Sequence, residues 1–267
     1  MKQVLIKSGG VVVDEVPAPK VSSKSLLVRV RSSCVSVGTE ITGVKGSGQP
    51  LYRRALQQPE KVKEALEMVK QRGIKNTTNF LRDKKHQESP TGYSAAGEVI
   101  AIGEGVDGFS IGDHVACAGA GIANHAEIID VPVNLVAKMP EGLNFELAST
   151  VTLGAIAMQG VRRTVPSLGE TIVVVGLGIL GQITVQLLTA NGCRVIGVHI
   201  DQDRVDTALE NGMQYGVNPE NENYIARAHL LTDNFGADAV IVTAASKNNE
   251  IISDAMQACR KKGRVVL

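Results

Sequence analysis

Residues 171–181 read Thr-Ile-Val-Val-Val-Gly-Leu-Gly-Ile-Leu-Gly, and this composition suits one task, gripping a diphosphate. Four apolar, mostly β-branched residues run into Gly176, Gly178 and Gly181, and a helix-compatible stretch follows at once. Gly176 lets the chain turn tightly out of a buried strand. Gly178 lacks a Cβ, so backbone N–H groups can approach a pyrophosphate. Gly181 lets the new helix lie close to the strand. Ile179 and Leu180 open that helix and bring unpaired N–H donors and a positive dipole end. The spacing rule expects a ribose-reading acid ~20 residues later, and Asp201 stands there.

The elements that must position this loop follow from periodicity. From residue 150 onward the rhythm is strand, helix, strand. Candidate strands lie at 172–175, 194–200, 239–242 and 264–267, with a weak one at 215–217. Helices are expected around 180–190, 203–211, 222–234 and 247–260. Such alternation predicts an α/β fold, a doubly wound parallel sheet with helices on both faces and ligand at the carboxyl ends of its strands. The first 150 residues read differently. Short apolar or alternating runs at 4–6, 11–16, 26–30, 96–103, 112–116 and 126–129, broken by Gly and Pro, suggest a barrel-like β domain. Between about 50 and 90 the pattern turns helical. Val62, Leu66 and Val69 form one stripe there, as expected of a helical insertion, either a lid, a packed decoration or an oligomer contact. The domains are therefore expected at 1–150 and 151–267. The last strand is cut at Leu267, so the sequence reads as part of a longer protein.

Composition sets limits. A hydrophobic content of 43%, a charged content of 21% and a net charge of +1 fit an ordinary globular chain with a small-molecule substrate. Neither a basic face for nucleic acid nor an apolar run of membrane-spanning length is present. Cys34, Cys117, Cys193 and Cys259 form no CxxC pair. They read as reduced thiols in a cytoplasmic protein, not as disulfides or a zinc cage.

With the β domain and the glycine motif in hand, the chain resembles the medium-chain dehydrogenase/reductase superfamily. Val37-Gly38-Thr39-Glu40, Gly92-Tyr93-Ser94-Ala95-Ala96-Gly97-Glu98-Val99, Val106-x-Gly108-Phe109-x-x-Gly112-Asp113-His114-Val115, Ala126-Glu127 and Lys138-Met139-Pro140-Glu141-Gly142 carry the likeness. It covers nearly all of the chain outside the insertion. More narrowly, Gly92 to Gly97, Ala116-Cys117-Ala118-Gly119 and Asn124-His125-Ala126-Glu127 resemble the N-terminal half of bacterial bi-domain oxidoreductases. The resemblance implies a GroES-like barrel joined to a Rossmann domain, and an NAD(P)-dependent oxidoreductase that dimerises through its nucleotide-binding sheet. It also implies a fused C-terminal oxidoreductase module and a sugar-like substrate.

The departures from the family pattern decide the chemistry. Zinc-binding members use Cys, His, often Glu, and a last ligand. The matching positions here are Val37, Tyr93, Ser94 and Thr152, which cannot hold an open zinc site. A zinc-independent branch is therefore expected, in which protein donors polarise the carbonyl oxygen. Thr39 sits at the family's proton-relaying hydroxyl. Tyr93 can place its phenol in the vacated cavity, and Glu40 can position Tyr93 or a substrate hydroxyl. His125 is a further candidate acid or substrate contact. Register puts His199 where NAD-specific relatives keep Asp, and on strand parity Asp201 shares its face. Arg204 resembles the basic residue at the adenosine ribose, and Thr243 should lie near the nicotinamide ribose, with Thr152 at the same cofactor. The balance favours NAD slightly over NADP. The competing reading is a non-catalytic dinucleotide-binding or redox-sensing module.

Overall fold

The computed structural model describes residues 1–7, 10–36, 38, 40, 89–244 and 250–267. Val37, Thr39 and the helical insertion expected at 50–90 lie outside the described residues, apart from Ser89–Pro90. The chain divides into two compact units, Met1–Thr152 and Leu153–Leu267.

Unit one is built on β1 (Lys2–Lys7), β2 (Gly10–Glu15), β3 (Ser25–Ser33), β4 (Ser89–Pro90), β5 (Ser94–Ile102), β6 (His114–Ala118), β7 (Ile128–Pro132) and β8 (Val136–Lys138). One sheet runs β7-β3-β5-β6-β8 and a smaller one β2-β1-β4. The Val4 amide donates to the His125 carbonyl, and Gln3 bridges Ala126, so β1 is stitched to the stretch before β7. The result is a GroES-like half-barrel. Its core comes from the inward faces: Leu26 and Val28 of β3, Ala95 and Val99 of β5, Val115 and Cys117 of β6, and Ile129 and Val131 of β7. Burying a Val or Leu here stabilises by about 1.5–3 kcal/mol. Burial also pushes the Cys117 thiol up to about 12, which makes it a packing residue and not a nucleophile.

A short helix, α1 (Phe145–Ala148), closes this unit. Asn144 caps it by accepting from the Leu147 amide at 2.8 Å. Next comes α2 (Val151–Thr164), which the sequence reading did not anticipate. Its buried positions, Leu153, Ala157, Val161 and Thr164, follow helical spacing, but a run of small residues there weakens the apolar signal.

Unit two carries β9 (Thr171–Val175), α3 (Ile179–Ala190), β10 (Arg194–Val198), α4 (Gln202–Glu210), β11 (Tyr215–Val217), α5 (Tyr224–Leu230), β12 (Ala237–Val242), α6 (Glu250–Ala258) and β13 (Cys259–Val266). The strand pairs are parallel, in the order β11-β10-β9-β12-β13. This is the doubly wound Rossmann sheet, and chain direction reverses its progress between β9 and β12. Every side chain of β9 is buried because both faces are covered. Ile172 and Val174 pack with Val185, Leu188 and Val205 on one face. Val173 and Val175 pack with Tyr224, Ala228 and Ala255 on the other.

Several boundaries differ from the periodic reading. The second strand stops at Val198 instead of reaching 200, because Asp201 starts the next helix as its N-cap. The third expected helix is shorter than 222–234, running from Tyr224 to Leu230, after which Asp233 and Asn234 adopt positive φ. The last strand begins at Cys259, not near 264, with an irregular register against β12.

Candidate functional site

Each unit carries its own candidate site. In unit two it forms where the carboxyl ends of β9, β10 and β12 meet. The Gly176 amide donates to the Val198 carbonyl at 2.8 Å, and the Thr243 and Ala244 amides donate to the Val175 carbonyl at 2.9 and 3.1 Å. The structure thus gathers Gly176, His199 and Thr243 at one edge. Gly176 has φ +101°, and a Cβ there would lie 2.7 Å from the Ala244 amide, so only glycine fits. A Cβ on Gly181 would sit 1.9 Å from the Gly176 carbonyl oxygen. That carbonyl also accepts from the Thr243 hydroxyl at 2.6 Å.

Gly178 is different. The one neighbour that a Cβ there would meet among the described residues is the Arg204 guanidinium, at 3.5 Å. The glycine is required by no packing contact, and it leaves open the approach to the first turn of α3. Gly178 gives that helix no side-chain cap, so among the described residues its leading N–H groups, at Ile179 and Leu180, are left at the positive end of the helix dipole. Gln182 ties the assembly together: its side-chain amide donates to the Arg204 carbonyl at 2.8 Å and to the Leu177 carbonyl at 3.3 Å. This cradle fits a dinucleotide diphosphate.

The ribose-reading positions separate. His199 follows β10 directly, and its Nδ1 accepts from the Asp201 amide at 2.9 Å. Nδ1 is then unprotonated and Nε2–H is the free donor. Burial, and then the neighbouring Arg204 charge, hold the imidazole below its ordinary value, so it is neutral at pH 7. Asp201 is exposed. Its carboxylate accepts from the Asp203 amide at 3.2 Å and lies 3.4 Å from Arg204 Nε. The shared strand face expected for His199 and Asp201 does not exist, because the strand has ended before Asp201.

In unit one, three of the positions at which the family keeps metal ligands are occupied by hydroxyl side chains, two of them hydrogen-bonded to their surroundings. The Thr152 hydroxyl donates to the Tyr93 carbonyl at 2.9 Å. Ser94, fully buried, donates to the Ser149 carbonyl at 2.6 Å and accepts from the Thr152 amide at 3.1 Å. The Tyr93 phenol is partly exposed and makes no hydrogen bond among the described residues. No three His, Cys, Asp or Glu side chains gather as a metal site among the described residues, and hydroxyl groups of this kind are poor zinc ligands.

Glu40 does not contact Tyr93. Its Oε1 accepts from the Ser36 amide at 2.8 Å. Its Oε2 accepts from the Thr91 hydroxyl at 3.0 Å and lies 3.0 Å from His125 Nε2. The other imidazole nitrogen is 2.8 Å from the Ser33 hydroxyl. Ser33, Thr91 and Ser149 carried no signal in the sequence, being ordinary hydroxyl residues far apart along the chain.

A domain family described as zinc-binding dehydrogenase matches residues 180–267, all within unit two. D-guloside 3-dehydrogenase of Escherichia coli is 34% identical over 155 residues, covering 57% of this chain and 44% of that protein. The chain spans under half the length of that relative. An uncharacterised zinc-type alcohol dehydrogenase-like protein of Haemophilus influenzae is 27% identical over 98% of this chain and 74% of its own length. Among solved structures, a mycobacterial protein in complex with NADPH superimposes with a TM-score of 0.76 at 20% identity, over all of this chain and 73% of that one. A half-barrel followed by a glycine-looped doubly wound sheet defines a dinucleotide-binding class of protein. Within it, residues 180–267 match the zinc-binding dehydrogenase family, and the chain is similar over most of its length to an alcohol dehydrogenase-like protein.

Proposed function

We propose that the chain is the nucleotide- and substrate-binding part of a zinc-independent NAD(P)-dependent oxidoreductase acting on an alcohol or carbonyl of sugar-like type, or on an activated alkene. The observation that carries this reading is the cradle at the ends of β9, β10 and β12, with Gly178 open and Arg204 beside it. When bound, the nicotinamide supplies or accepts the hydride. The chain's own residues do the rest. Ile179 and Leu180 offer amides to the diphosphate, and Thr243 lines the loop beyond. Tyr93 offers its phenol as the proton donor to the substrate oxygen, on a turn fixed by the Thr152 hydroxyl. The likeness to D-guloside 3-dehydrogenase supports a polyol or glycoside among the alcohols.

Calorimetry with the oxidised and reduced forms of both dinucleotides, followed by turnover assays on polyols, aldehydes, quinones and enones, tests the proposal. Absence of nucleotide uptake would overturn it, and stoichiometric zinc in the purified protein would overturn its metal-free part. Uptake without turnover on any substrate would favour a non-catalytic redox-sensing module. That the Tyr93 phenol has no hydrogen-bonded partner among the described residues gives that second reading its support.

Cofactor choice rests on His199. The Asp201 carboxylate is engaged at the helix start and beside Arg204, and position 199 itself carries no acid to repel a 2′-phosphate. His199 Nε2–H and Arg204 are both donors, so the arrangement supports use of NADP(H) as well as NAD(H). Changing His199→Asp is expected to shift the ratio of affinities toward NAD(H) by roughly tenfold or more, read by fluorescence titration with NADH and NADPH. An unchanged ratio would remove His199 from the site.

A further inference from the structure

Among the described residues, Gln182 is the one side chain that hydrogen-bonds to both the glycine loop and helix α4. Its amide donates to the Leu177 carbonyl, between Gly176 and Gly178, at 3.3 Å. It also donates to the Arg204 carbonyl, in the first turn of α4, at 2.8 Å. The guanidinium of that same Arg204 is the group that a Cβ on Gly178 would meet at 3.5 Å. The tie therefore joins the loop that offers amides to a diphosphate with the residue that stands beside the opening.

The other end of the amide is informative. Gln182 Oε1 is buried and has no hydrogen-bond partner. An acceptor sealed from water and left unpaired is costly, and a methionine of similar length would avoid that cost. What glutamine brings to this position that methionine would not is its two amide hydrogens.

Those hydrogens supply something that packing does not. Helix α4 is seated on the sheet by Val205 and Ala208, which share a core with Leu177 and Val185. Such burial holds a helix down but has no direction, so it does not fix where the first turn lies along the sheet. Strand pairing does not fix it either, because β10 ends at Val198 and α4 begins at Gln202. A hydrogen bond to the Arg204 carbonyl is directional. It sets the spacing between the Ile179 and Leu180 amides and the ribose side of the proposed site.

We propose that Gln182 is a positioning residue that couples the diphosphate grip to recognition of the adenosine ribose, so that the site selects ligands carrying both groups at the spacing of an ADP moiety. The inference rests on the dinucleotide-binding part of the function proposed above. Two half-sites held at the right separation act together on a ligand that spans them, which loses its freedom once for two sets of contacts. Without the tie, loop and helix must be ordered as the ligand arrives. The spanning ligand then loses its advantage, while fragments that fill one half-site do not. Gln182 itself touches neither group.

Calorimetry on the intact protein with NADPH, ADP-ribose, inorganic pyrophosphate and adenosine 2′-monophosphate tests the coupling. Gln182→Met removes both donors at similar side-chain size. It is expected to weaken NADPH and ADP-ribose by roughly tenfold, within the range for coupled neighbours, and to change the two fragments by less than about twofold. A double-mutant cycle gives a second readout. His199→Asp, expected to shift the NADH-to-NADPH affinity ratio by roughly tenfold in wild type, should shift it by less than about threefold in the Gln182→Met background. A merely structural glutamine would lower the melting temperature and weaken all four ligands alike, with the His199→Asp shift unchanged; that result overturns the proposal. An unaltered NADPH affinity in Gln182→Met overturns it too, and leaves the dinucleotide reading standing. Failure of wild type to take up NADPH or ADP-ribose would sink that reading and the coupling with it.

Discussion

Gly181→Ala is expected to abolish dinucleotide binding and to lower stability by about 3 kcal/mol, the upper range for overpacking. The added carbon would sit 1.9 Å from the Gly176 carbonyl oxygen and 3.0 Å from the Thr243 hydroxyl. Neither neighbour can yield cheaply. The carbonyl belongs to a turn that only glycine can make, at φ +101°, and it is held by the Thr243 hydroxyl at 2.6 Å. The start of α3 must therefore move away from β9, carrying the Ile179 and Leu180 amides with it. Thermal melting and calorimetry with NADPH on the same preparation measure both effects. A folded variant that still binds would show that the close strand–helix contact does not set the phosphate grip. Gly178→Ala is the informative contrast, since its Cβ meets only a flexible guanidinium; it should weaken binding while leaving the melting temperature nearly unchanged.

Tyr93→Phe is expected to reduce kcat by roughly 10²–10⁴, the span typical of removing a general acid, with the dinucleotide Kd unaltered. The phenol engages no partner among the described residues, so its removal breaks no hydrogen bond and orphans no buried group among them. Stability should stay within about 0.5 kcal/mol of wild type. This separates the phenol from Thr152, whose hydroxyl holds the Tyr93 carbonyl, and whose loss should disturb the turn itself. Steady-state kinetics on whichever substrate class turns over, alongside a melting curve, decide the point. Full activity in the phenylalanine variant would leave the substrate oxygen to another donor.

What the sequence made legible is tied to strong local rules. The glycine loop, its flanking strand and helix, and the alternation behind them are readable because each residue type has one physical reason to be there. Asp201 shows the opposite case. The spacing rule marks it as a ribose reader, yet an acid followed by a helical run is also the commonest way to start a helix. In the fold Asp201 does cap that helix, a role that spacing alone does not distinguish from ribose reading. Helix α2 escaped notice because glycine and alanine dilute its apolar stripe. The Ser33–His125–Glu40 chain was out of reach for another reason. Its members lie 7 to 92 residues apart in sequence, brought together by strand pairing that no local pattern encodes.

Asp201 and His199 divide two duties that a single aspartate could have combined. One residue fixes where a helix begins; its neighbour two positions back stands just past β10, where the proposed coenzyme site lies. Asp201 caps the helix with its own carboxylate, and His199 supplies only one acceptor to the Asp201 amide, so position 199 can change to another side chain that offers an acceptor. Coenzyme preference in such a chain can drift through one codon without first negotiating a folding defect, and a designer wishing to retune it has a place to begin.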